Sequence, residues 1–292
     1  MNRKLVALAA ASLVVGLAPA ATAEGMLFPG TRALGVGGAL RALATGDAGP
    51  MLNPSGISLI RAYAVEAAYQ YGRTLGSNDV RLSAVDSTSA FNLGGALYYS
   101  YHRDAPAGGG SQAGHLVGGA LSFPFVDKVY LGMNLKYVRF TDLAQVKHSG
   151  LTLDGGLTLR LIPQLSLGAA AYNVIDLDTA WAPRGYGGGV AVLPFPALLL
   201  AFDVVSTKVY GDPDRDQALS FMGGGEFSLG TAAGLRAGGG RDGVTRNGYM
   251  TAGFTLISAQ LGALDFGFRQ DVSGEDKSTI LGVSARLFVP SM

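Results

Sequence analysis

The side chains best suited to catalysis are Ser100 and His102, two residues apart in a segment where polar and apolar residues alternate. Because successive strand side chains point to opposite faces, both would share one face, as the nucleophile and base of an esterase must. Two residues share a face often by chance, and the chain has no Gly-x-Ser-x-Gly turn to expose the serine. His115 and His148 are expected near external strand ends or in loops. The sequence therefore predicts no catalytic residue and no enzyme activity.

The other patterns that could do chemistry are incomplete. Asp212 begins an acidic run like the start of a calcium loop, but Gln217 and Gly223 stand where that loop needs its glycine and its final glutamate. The segment from Gly274 is not a phosphate loop, because Asp276 replaces the glycine that precedes the lysine. The absence of cysteine excludes thiolate metal sites and disulfides. The sequence therefore predicts no metal site and no cofactor.

Charge and composition narrow the class of protein. The 22 basic and 21 acidic residues nearly cancel, which argues against nucleic acid as a partner. The chain is 48% hydrophobic with a mean hydropathy of +0.29, yet it has no apolar stretch of the roughly 20 residues that a membrane helix needs. A barrel wall is the remaining place for this apolar surface. The 44 glycines, about twice the usual share, fit a narrow and strongly curved barrel.

The first 23 residues have the composition of a cleaved secretory signal. Arg3 and Lys4 precede an apolar run from Leu5 to about Ala18, and small residues follow at 21–23. The apolar run is shorter than a membrane-spanning helix. We therefore expect residues 1–23 to be a signal peptide.

From about Arg61 to its end the chain repeats stretches of roughly ten alternating residues, as outer-membrane barrel strands do. In Leu151–Leu161 the leucines fall on one face, and Asp154 and Arg160 on the other. This pattern predicts an all-β fold, a transmembrane antiparallel β-barrel of about fourteen strands. The expected strands are 61–72, 79–87, 91–102, 113–124, 128–140, 149–161, 164–173, 186–194, 198–208, 218–228, 231–241, 247–257, 260–270 and 278–288. Twelve strands is the alternative, if 79–87 or 186–194 is a loop.

The connections between these strands sort by parity. Those after even-numbered strands are short, such as 125–127 and 162–163, and those after odd-numbered strands are longer and more polar, such as 104–112 and 176–185. Bacterial barrels place short turns in the periplasm and long loops outside, whereas a soluble β-sandwich has no reason to sort its loops. We therefore expect the outer membrane of a Gram-negative-type bacterium, with both chain termini in the periplasm.

The polar face of each strand predicts the residues that line the lumen. Five acids and five bases fall on it: Glu66, Lys136, Asp154, Arg160, Asp203, Glu226, Arg236, Asp265, Arg269 and Arg286. Balanced charges favour pairing inside a narrow or plugged lumen over a selectivity filter of one sign.

Residues 24–60 do not alternate and carry the most specific motif of the chain. Its positions are Gly30, Arg32, Gly35, Gly37 and Gly38, then Asp47, then Asn53, Pro54 and Gly56 in an Asn-Pro-Ser-Gly box. This order and spacing resemble the start of the FadL-like (long-chain fatty acid transporter) superfamily and the related PorV/PorQ outer-membrane proteins. Residues 167–174 are similar to a mid-barrel strand of the PorV-type branch.

The resemblance implies a fourteen-stranded barrel whose N-terminal segment folds into the lumen as a hatch. The expected division is a signal peptide at 1–23, a hatch at 24–60 and a barrel at 61–292. Asn53, Pro54 and Gly56 would close the hatch with a rigid turn, since Asn bonds its own backbone and Pro fixes φ. Gly94 and Gly95 would mark the kink in strand three at which family transporters release ligand.

Two functions remain open at this stage. The resemblance implies passive transport of small hydrophobic or amphipathic, fatty-acid-like molecules. The alternative is a PorV-like scaffold or secretion-system accessory protein, because the loops are short and polar, with Trp181 the only tryptophan. The expected partners are outer-membrane lipid and lipopolysaccharide, together with either a hydrophobic ligand or a secreted or secretion-system protein.

Overall fold

Fourteen antiparallel strands close into one barrel in which each strand pairs with its neighbours in the chain and β1 pairs with β14. The computed structural model describes residues 28–89, 93–106, 109–258, 262–275 and 277–288, so the predicted signal peptide at 1–23 lies outside the described residues. The strands are β1 (Tyr63–Gly72), β2 (Ser77–Asp86), β3 (Gly94–Asp104), β4 (Gln112–Val126), β5 (Val129–Thr141), β6 (Lys147–Ile162), β7 (Leu165–Tyr172), β8 (Gly185–Phe195), β9 (Leu198–Lys208), β10 (Gln217–Leu229), β11 (Ala233–Arg241), β12 (Gly248–Ser258), β13 (Gly262–Ser273) and β14 (Thr279–Phe288).

The prediction of fourteen strands is confirmed, and the twelve-stranded alternative is wrong because β2 and β8 both pair on two sides. β2 alternates poorly in sequence near its end for a physical reason. Val85 faces inward and packs on Ile57 in one apolar cluster, while Asp86 faces outward and accepts a hydrogen bond from Thr88. The pre-barrel segment thus supplies an apolar partner inside the lumen that no strand pattern reveals.

The outer wall is an apolar band. Leu97, Leu121 and Met250 are 72%, 60% and 62% exposed, and the outward positions of the neighbouring strands are also apolar. Exposed aromatic side chains lie towards both ends of the strands: Tyr63, Phe123, Phe195, Phe227 and Phe288 at one end, and Tyr69, Tyr71, Tyr137, Tyr186, Phe221 and Phe268 towards the other. An apolar band between aromatic girdles is the outer surface of a membrane barrel.

The two ends of the barrel differ in their connections. At the end we call the short-turn end, connections such as 127–128 and 163–164 have two residues, whereas 173–184 and 209–216 at the opposite, long-loop end are longer. The connection 87–93 is an exception at the short-turn end. The Ser87 hydroxyl donates to the Ile60 carbonyl, so this longer connection clasps the segment that leads into β1.

Residues 28–60 lie inside the barrel and form the segment we call the hatch. It contains α1 (Thr31–Gly35), α2 (Gly49–Leu52) and three 3₁₀ segments, Arg41–Leu43, Gly46–Ala48 and Pro54–Leu59. No helix of the described ranges is long and apolar enough to cross a membrane. Hatch residues such as Val36, Leu40 and Ala44 are fully buried and pack against inward residues of β8 and β9.

Inward-facing glycines let the hatch approach the wall. At ten of these positions a Cβ would lie 3.1 Å or less from a hatch atom: Gly94, Gly132, Gly156, Gly168, Gly187, Gly224, Gly238, Gly253, Gly267 and Gly282. Their partners include the backbone of Val36 and Arg41 and the side chain of Asn53. The high glycine content therefore serves backbone contact across the lumen, in agreement with the expected narrow interior.

The paired glycines of the hatch motif end α1. Gly37 and Gly38 have φ values of +70° and +85°, and the Gly38 amide donates to the Ala33 carbonyl at 2.8 Å. Residues with a Cβ rarely adopt this conformation, so glycine terminates the helix here.

Candidate functional site

A cavity of about 540 Å³ lies in the long-loop half of the lumen. Hatch residues such as Leu34, Gly37 and Leu52 line it on the side that faces the short-turn end. Inward side chains of the strands form its walls, among them Leu116, Val138, Val205 and Ile280. The volume falls within the range of about 300 to 1,000 Å³ that is usual for small-molecule sites.

The apolar wall of the cavity is a cluster centred on Trp181. The indole is 5% exposed and stacks on Phe140 at 5.1 Å between ring centroids, and its edge contacts His102 at 5.5 Å. Met51 of the hatch and Leu116 of β4 belong to the same cluster. This apolar surface would favour a hydrophobic ligand, although charged side chains also line the cavity.

Sequence reasoning placed Trp181 on a polar external loop, whereas the segment 173–184 folds into the mouth of the barrel. Two contacts hold its base. The Asn173 amide nitrogen donates to the Pro183 carbonyl at 2.7 Å, and the Asn173 backbone amide donates to Asp154 at 2.8 Å. One feature of the sequence could have indicated this position. The connection 173–184 is the longest between described strands, and it carries the large apolar residues Leu177 and Trp181 beside its two aspartates.

A polar latch ties the same segment to β9. Asp176 accepts hydrogen bonds from the Lys208 ammonium at 3.0 Å and the Tyr210 hydroxyl at 2.9 Å, and Lys208 also contacts Asp178 at 3.2 Å. Desolvation raises the pKa of Asp176, but hydrogen bonds from the Asp178 amide, Lys208 and Tyr210 outweigh it and hold that pKa at about 2. Asp176 is therefore an anion at neutral pH, and the latch is closed.

Charged groups beside the cavity are neutralised in pairs. Lys136 lies 2.6 Å from Asp154 and donates to the Asn173 side chain, and Arg41 of the hatch lies 3.0 Å from Asp203. The Arg41 guanidinium also donates to the Tyr172 hydroxyl, which in turn donates to the Leu52 carbonyl. These contacts leave the apolar wall as the larger unengaged surface.

Beneath the cavity, hatch and wall are joined by ion pairs of alternating sign. Arg32 of α1 lies 2.9 Å from Glu226, and Glu226 lies 2.6 Å from Arg236. Arg236 then lies 2.8 Å from Asp265. Such buried ion pairs determine the position of the hatch in the barrel more than they stabilise the fold, because desolvation offsets much of the attraction between the charges.

The chain of ion pairs continues around the lumen to the hatch. Arg286 lies 3.6 Å from Asp265, 2.8 Å from Glu66 and 3.3 Å from Asp47, and Asp47 lies 2.5 Å from Arg81. We call the eight residues of this chain the ion-pair ring: Arg32, Asp47, Glu66, Arg81, Glu226, Arg236, Asp265 and Arg286. It contains four acids and four arginines, so it carries no net charge when all eight are ionised.

The remaining predicted lumen residues differ from one another. Arg269 lies 3.0 Å from Asp271, with its guanidinium 3.9 Å from the centre of the Tyr249 ring. Arg160, near the short-turn end, makes no side-chain ion pair with the described residues. Sequence reasoning missed Arg41 because the hatch has no periodicity and its partner Asp203 is remote in sequence. It missed Arg81 of β2 because its partner Asp47 lies in the hatch, which no strand pattern places opposite it.

The hatch motif residues have structural partners. Asn53 accepts from the Ser55 amide and donates to the carbonyls of Arg41 and Leu157, so it closes the turn and pins it to β6. The Cβ position of Gly56 is blocked by the Ala44 carbonyl, and Pro54 lies against Gly156. Gly94 and Gly95 are the first residues of β3 and pair in continuous register with β4. The pairing is therefore unbroken where a kink is predicted.

Of the two residues that suggested an esterase, only His102 has polar partners among the described residues. His102 lies between two carboxylates, with Nδ1 2.6 Å from Asp79 and Nε2 3.0 Å from Asp104. The Ser100 hydroxyl has no hydrogen-bond partner within the described residues. Among those residues no group of three or more acids and histidines could hold a metal ion.

Fold and cavity together define a plugged, fourteen-stranded barrel of the outer-membrane type. Its fold is similar to that of the CymD monoaromatic hydrocarbon channel, with a TM-score of 0.70 and 11% identity over 90% of this chain and 98% of that one. A Pseudomonas aeruginosa FadL homologue gives 0.64 and 11% over 88% and 98%. The Pseudomonas putida toluene transporter TodX gives 0.63 and 10% over 90% and 96%.

Of these structural neighbours, CymD is a channel and TodX a transporter, and neither is an enzyme. No protein-family model matches the sequence. No curated protein matches it either. At these identities the likeness concerns the fold.

Proposed function

We propose that this protein is a passive outer-membrane channel for small hydrophobic or amphipathic molecules, of the kind that fatty acids and aromatic hydrocarbons represent. The observation that carries the proposal is the cavity of about 540 Å³ with an apolar, tryptophan-centred wall directly above the hatch. Two of the structural neighbours are a monoaromatic hydrocarbon channel and a toluene transporter, which supports the same ligand class. The likeness to the PorV-type branch stays a prediction from sequence.

In this proposal the long-loop end faces outside and both chain termini face the periplasm. Ligand enters through the mouth beside Trp181 and displaces water from the apolar wall, which favours binding by roughly 25 cal/mol per Å² of apolar surface buried. The ligand then has to pass the hatch, so part of residues 28–60 must move away from the position that the structure shows. Transport runs down the ligand gradient.

The single tryptophan makes ligand entry directly measurable. Because Trp181 lies in the cavity wall and no other tryptophan contributes, titration of the detergent-solubilised protein with toluene, naphthalene or laurate should change its fluorescence saturably. A matched control is glucose, a polar molecule of similar size, which should produce no change. Saturable change with a hydrophobic ligand and none with glucose supports the cavity as a ligand site.

Uptake is tested separately in liposomes that contain the refolded protein. Entry of radiolabelled laurate or toluene should exceed that into protein-free liposomes, while glucose entry should not. If neither hydrophobic probe enters faster than into empty liposomes, and neither changes the fluorescence, the channel proposal is wrong and the scaffold alternative gains.

A further inference from the structure

Three long cations lie unpartnered on the outer wall of the barrel at the long-loop end. Arg103 of β3, Arg139 of β5 and Lys147 of β6 are all exposed, and none makes a side-chain hydrogen bond or ion pair with the described residues. This differs from the lumen, where most cations face a carboxylate. Arg139 and Lys147 lie on the adjacent strands β5 and β6, where like charges repel each other, so a negative group from outside the chain would stabilise them.

The strand register places these cations in two adjacent rows across the wall. In the upper row Arg103 pairs with Ala113, Ala113 with Thr141, and Thr141 with Lys147. In the row below, His115 lies directly opposite Arg139. Strands are about 4.8 Å apart, so Arg103 and Lys147 stand roughly 14 Å from each other with two small residues between them.

The surface between the cations is a groove rather than a flat wall. A depression of about 300 Å³ is lined by Ala113, His115, Arg139, Phe140, Thr141 and Lys147. His115 is held at its lower edge, since Nδ1 lies 2.8 Å from the Tyr99 hydroxyl and the ring packs against Tyr101 at 5.1 Å. The groove therefore has Ala113 and Thr141 in its floor and Arg139 and Lys147 at its rim, and Arg103 lies just outside it, on the strand next to Ala113.

The outward side chains in the rows directly beneath the groove are mostly apolar. Tyr99, Val117, Tyr137 and Leu151 form the next row down, and Leu97, Gly119, Leu135 and Leu153 form the one after it. Leu97 is 72% exposed in the apolar band. The groove is thus at the height where the apolar band ends, which is the headgroup level of the leaflet at this end of the barrel.

Acidic groups nearby do not neutralise the groove. Asp79 and Asp104 point into the lumen and flank His102. Asp142 accepts from the Val146 amide at 2.9 Å and from His148 at 3.0 Å, so it is occupied within its own loop. The groove remains a site of net positive charge.

We propose that this basic groove binds the phosphate groups of a lipid A-type glycolipid in the outer leaflet. Two arginines offer paired N–H donors to phosphate oxygens, and the lysine adds a third point charge. The acyl chains of such a lipid would lie along the apolar rows beneath the rim. The inference goes beyond the proposed transport and depends on the orientation in which the long-loop end faces outside.

The test compares two triple variants of equal charge change. Arg103→Gln/Arg139→Gln/Lys147→Gln removes the groove cations, and Arg73→Gln/Arg241→Gln/Lys277→Gln removes three exposed cations at the same end but elsewhere on the circumference. Binding of bis-phosphorylated lipid A to the detergent-solubilised protein is measured by native mass spectrometry. We expect the groove variant to bind at least about tenfold more weakly and the control variant to bind like the unmodified protein.

Two further arms identify the ligand chemistry. Dephosphorylated lipid A should bind the unmodified protein as weakly as lipid A binds the groove variant, and millimolar sodium phosphate should not displace lipid A. Equal losses in both triple variants, or no loss in either, would overturn the site. Displacement by free phosphate would overturn the assignment to a lipid. If the groove triple does not fold, Arg139→Gln/Lys147→Gln replaces it with the same expected direction. None of these readouts measures uptake, so failure here and failure of the transport proposal are separate.

Discussion

In the half of the lumen nearer the short turns, the hatch contacts the wall through glycines and through the eight-residue ion-pair ring. In the half nearer the long loops, the lumen contains a cavity whose wall includes Trp181 and other apolar side chains. One half is filled with fixed, polar, closely packed structure. The other contains the cavity, with its largely apolar wall. The two halves therefore suit different tasks. The apolar cavity can bind a hydrophobic molecule, whereas the dense polar plug closes the lumen to its passage.

The two halves also differ in the way they can change. Opening the hatch half requires several buried ion pairs to separate or move together, because each arginine of the ring faces at least one carboxylate. Opening the cavity half requires only that the segment 173–184 leave the mouth, where Asp176 and its partners are near solvent. We therefore expect the mouth to open more easily than the hatch.

The largest expected effect is on the ion-pair ring. Asp265→Ala would remove a fully buried carboxylate that lies 2.8 Å from Arg236 and 3.6 Å from Arg286, and it would leave the ion-pair ring with one unmatched positive charge. We expect the free energy of unfolding to fall by about 3 to 5 kcal/mol, as when one member of a buried ion pair is removed. Urea unfolding followed by heat-modifiable gel mobility measures this.

The matched control for this change is Asp178→Ala, since the side chain of Asp178 is 86% exposed. Its cost should stay within about 0.5 kcal/mol. Similar costs for the two variants would contradict the view that the ring holds the hatch half together.

The glycine contacts supply a second test on two adjacent residues. Gly156→Val places a side chain against Asn53 and Pro54, whereas Gly155→Val meets nothing within 4 Å. We expect the first to cost about 1 to 3 kcal/mol from overpacking and the second almost nothing. Unfolding midpoints in urea compare them, and equal midpoints would mean that the hatch does not rest on the wall at β6.

These two halves were not equally visible in the sequence. Alternation predicted the strands because one face meets lipid and the other a polar lumen, as Leu151 and Asp154 show. It reports only the face of a residue and not what lies opposite. The pair Arg41 and Asp203 is separated by 162 positions, so no local pattern links them. The hatch and the infolded loop at Trp181 lack strand periodicity, and their places are set by tertiary packing.

The third prediction concerns the cavity wall. Trp181→Ala removes the ring that stacks on Phe140, so laurate affinity should fall about tenfold, or about 1.4 kcal/mol. Trp181→Phe should recover most of the affinity, because it keeps an aromatic surface. Tyr186→Ala, at an outward side chain that is 56% exposed, is the control. Equilibrium binding of radiolabelled laurate checks all three, and unchanged affinity in Trp181→Ala would exclude this wall as the ligand site.

The smallest expected effect is the pH response of the mouth. The pKa of Asp176 in the folded protein, about 2, is below its ordinary value near 3.8. The latch is therefore complete above about pH 4 and is lost as the pH falls towards 2. Fluorescence of Trp181 should shift towards that of an exposed indole in this window. Asp176→Asn should show the shifted emission already at neutral pH. Identical emission in the variant and the unmodified protein would show that the latch does not hold the tryptophan.

The central claim, that ligand passes from the cavity past the hatch, is tested most directly by locking the hatch. A Cβ at Gly282 would lie 3.5 Å from Thr31 Oγ1 and 3.6 Å from Thr31 Cγ2, the positions that a cysteine sulfur would take, and the chain has no other cysteine, so Thr31→Cys/Gly282→Cys allows one defined disulfide between α1 and β14. Laurate uptake into liposomes is measured with the disulfide formed and again after reduction, with Trp181 fluorescence as the binding readout. We predict that uptake is lost when the disulfide forms and recovers on reduction, while binding is the same in both states. Equal uptake in the two states would contradict passage past a moving hatch.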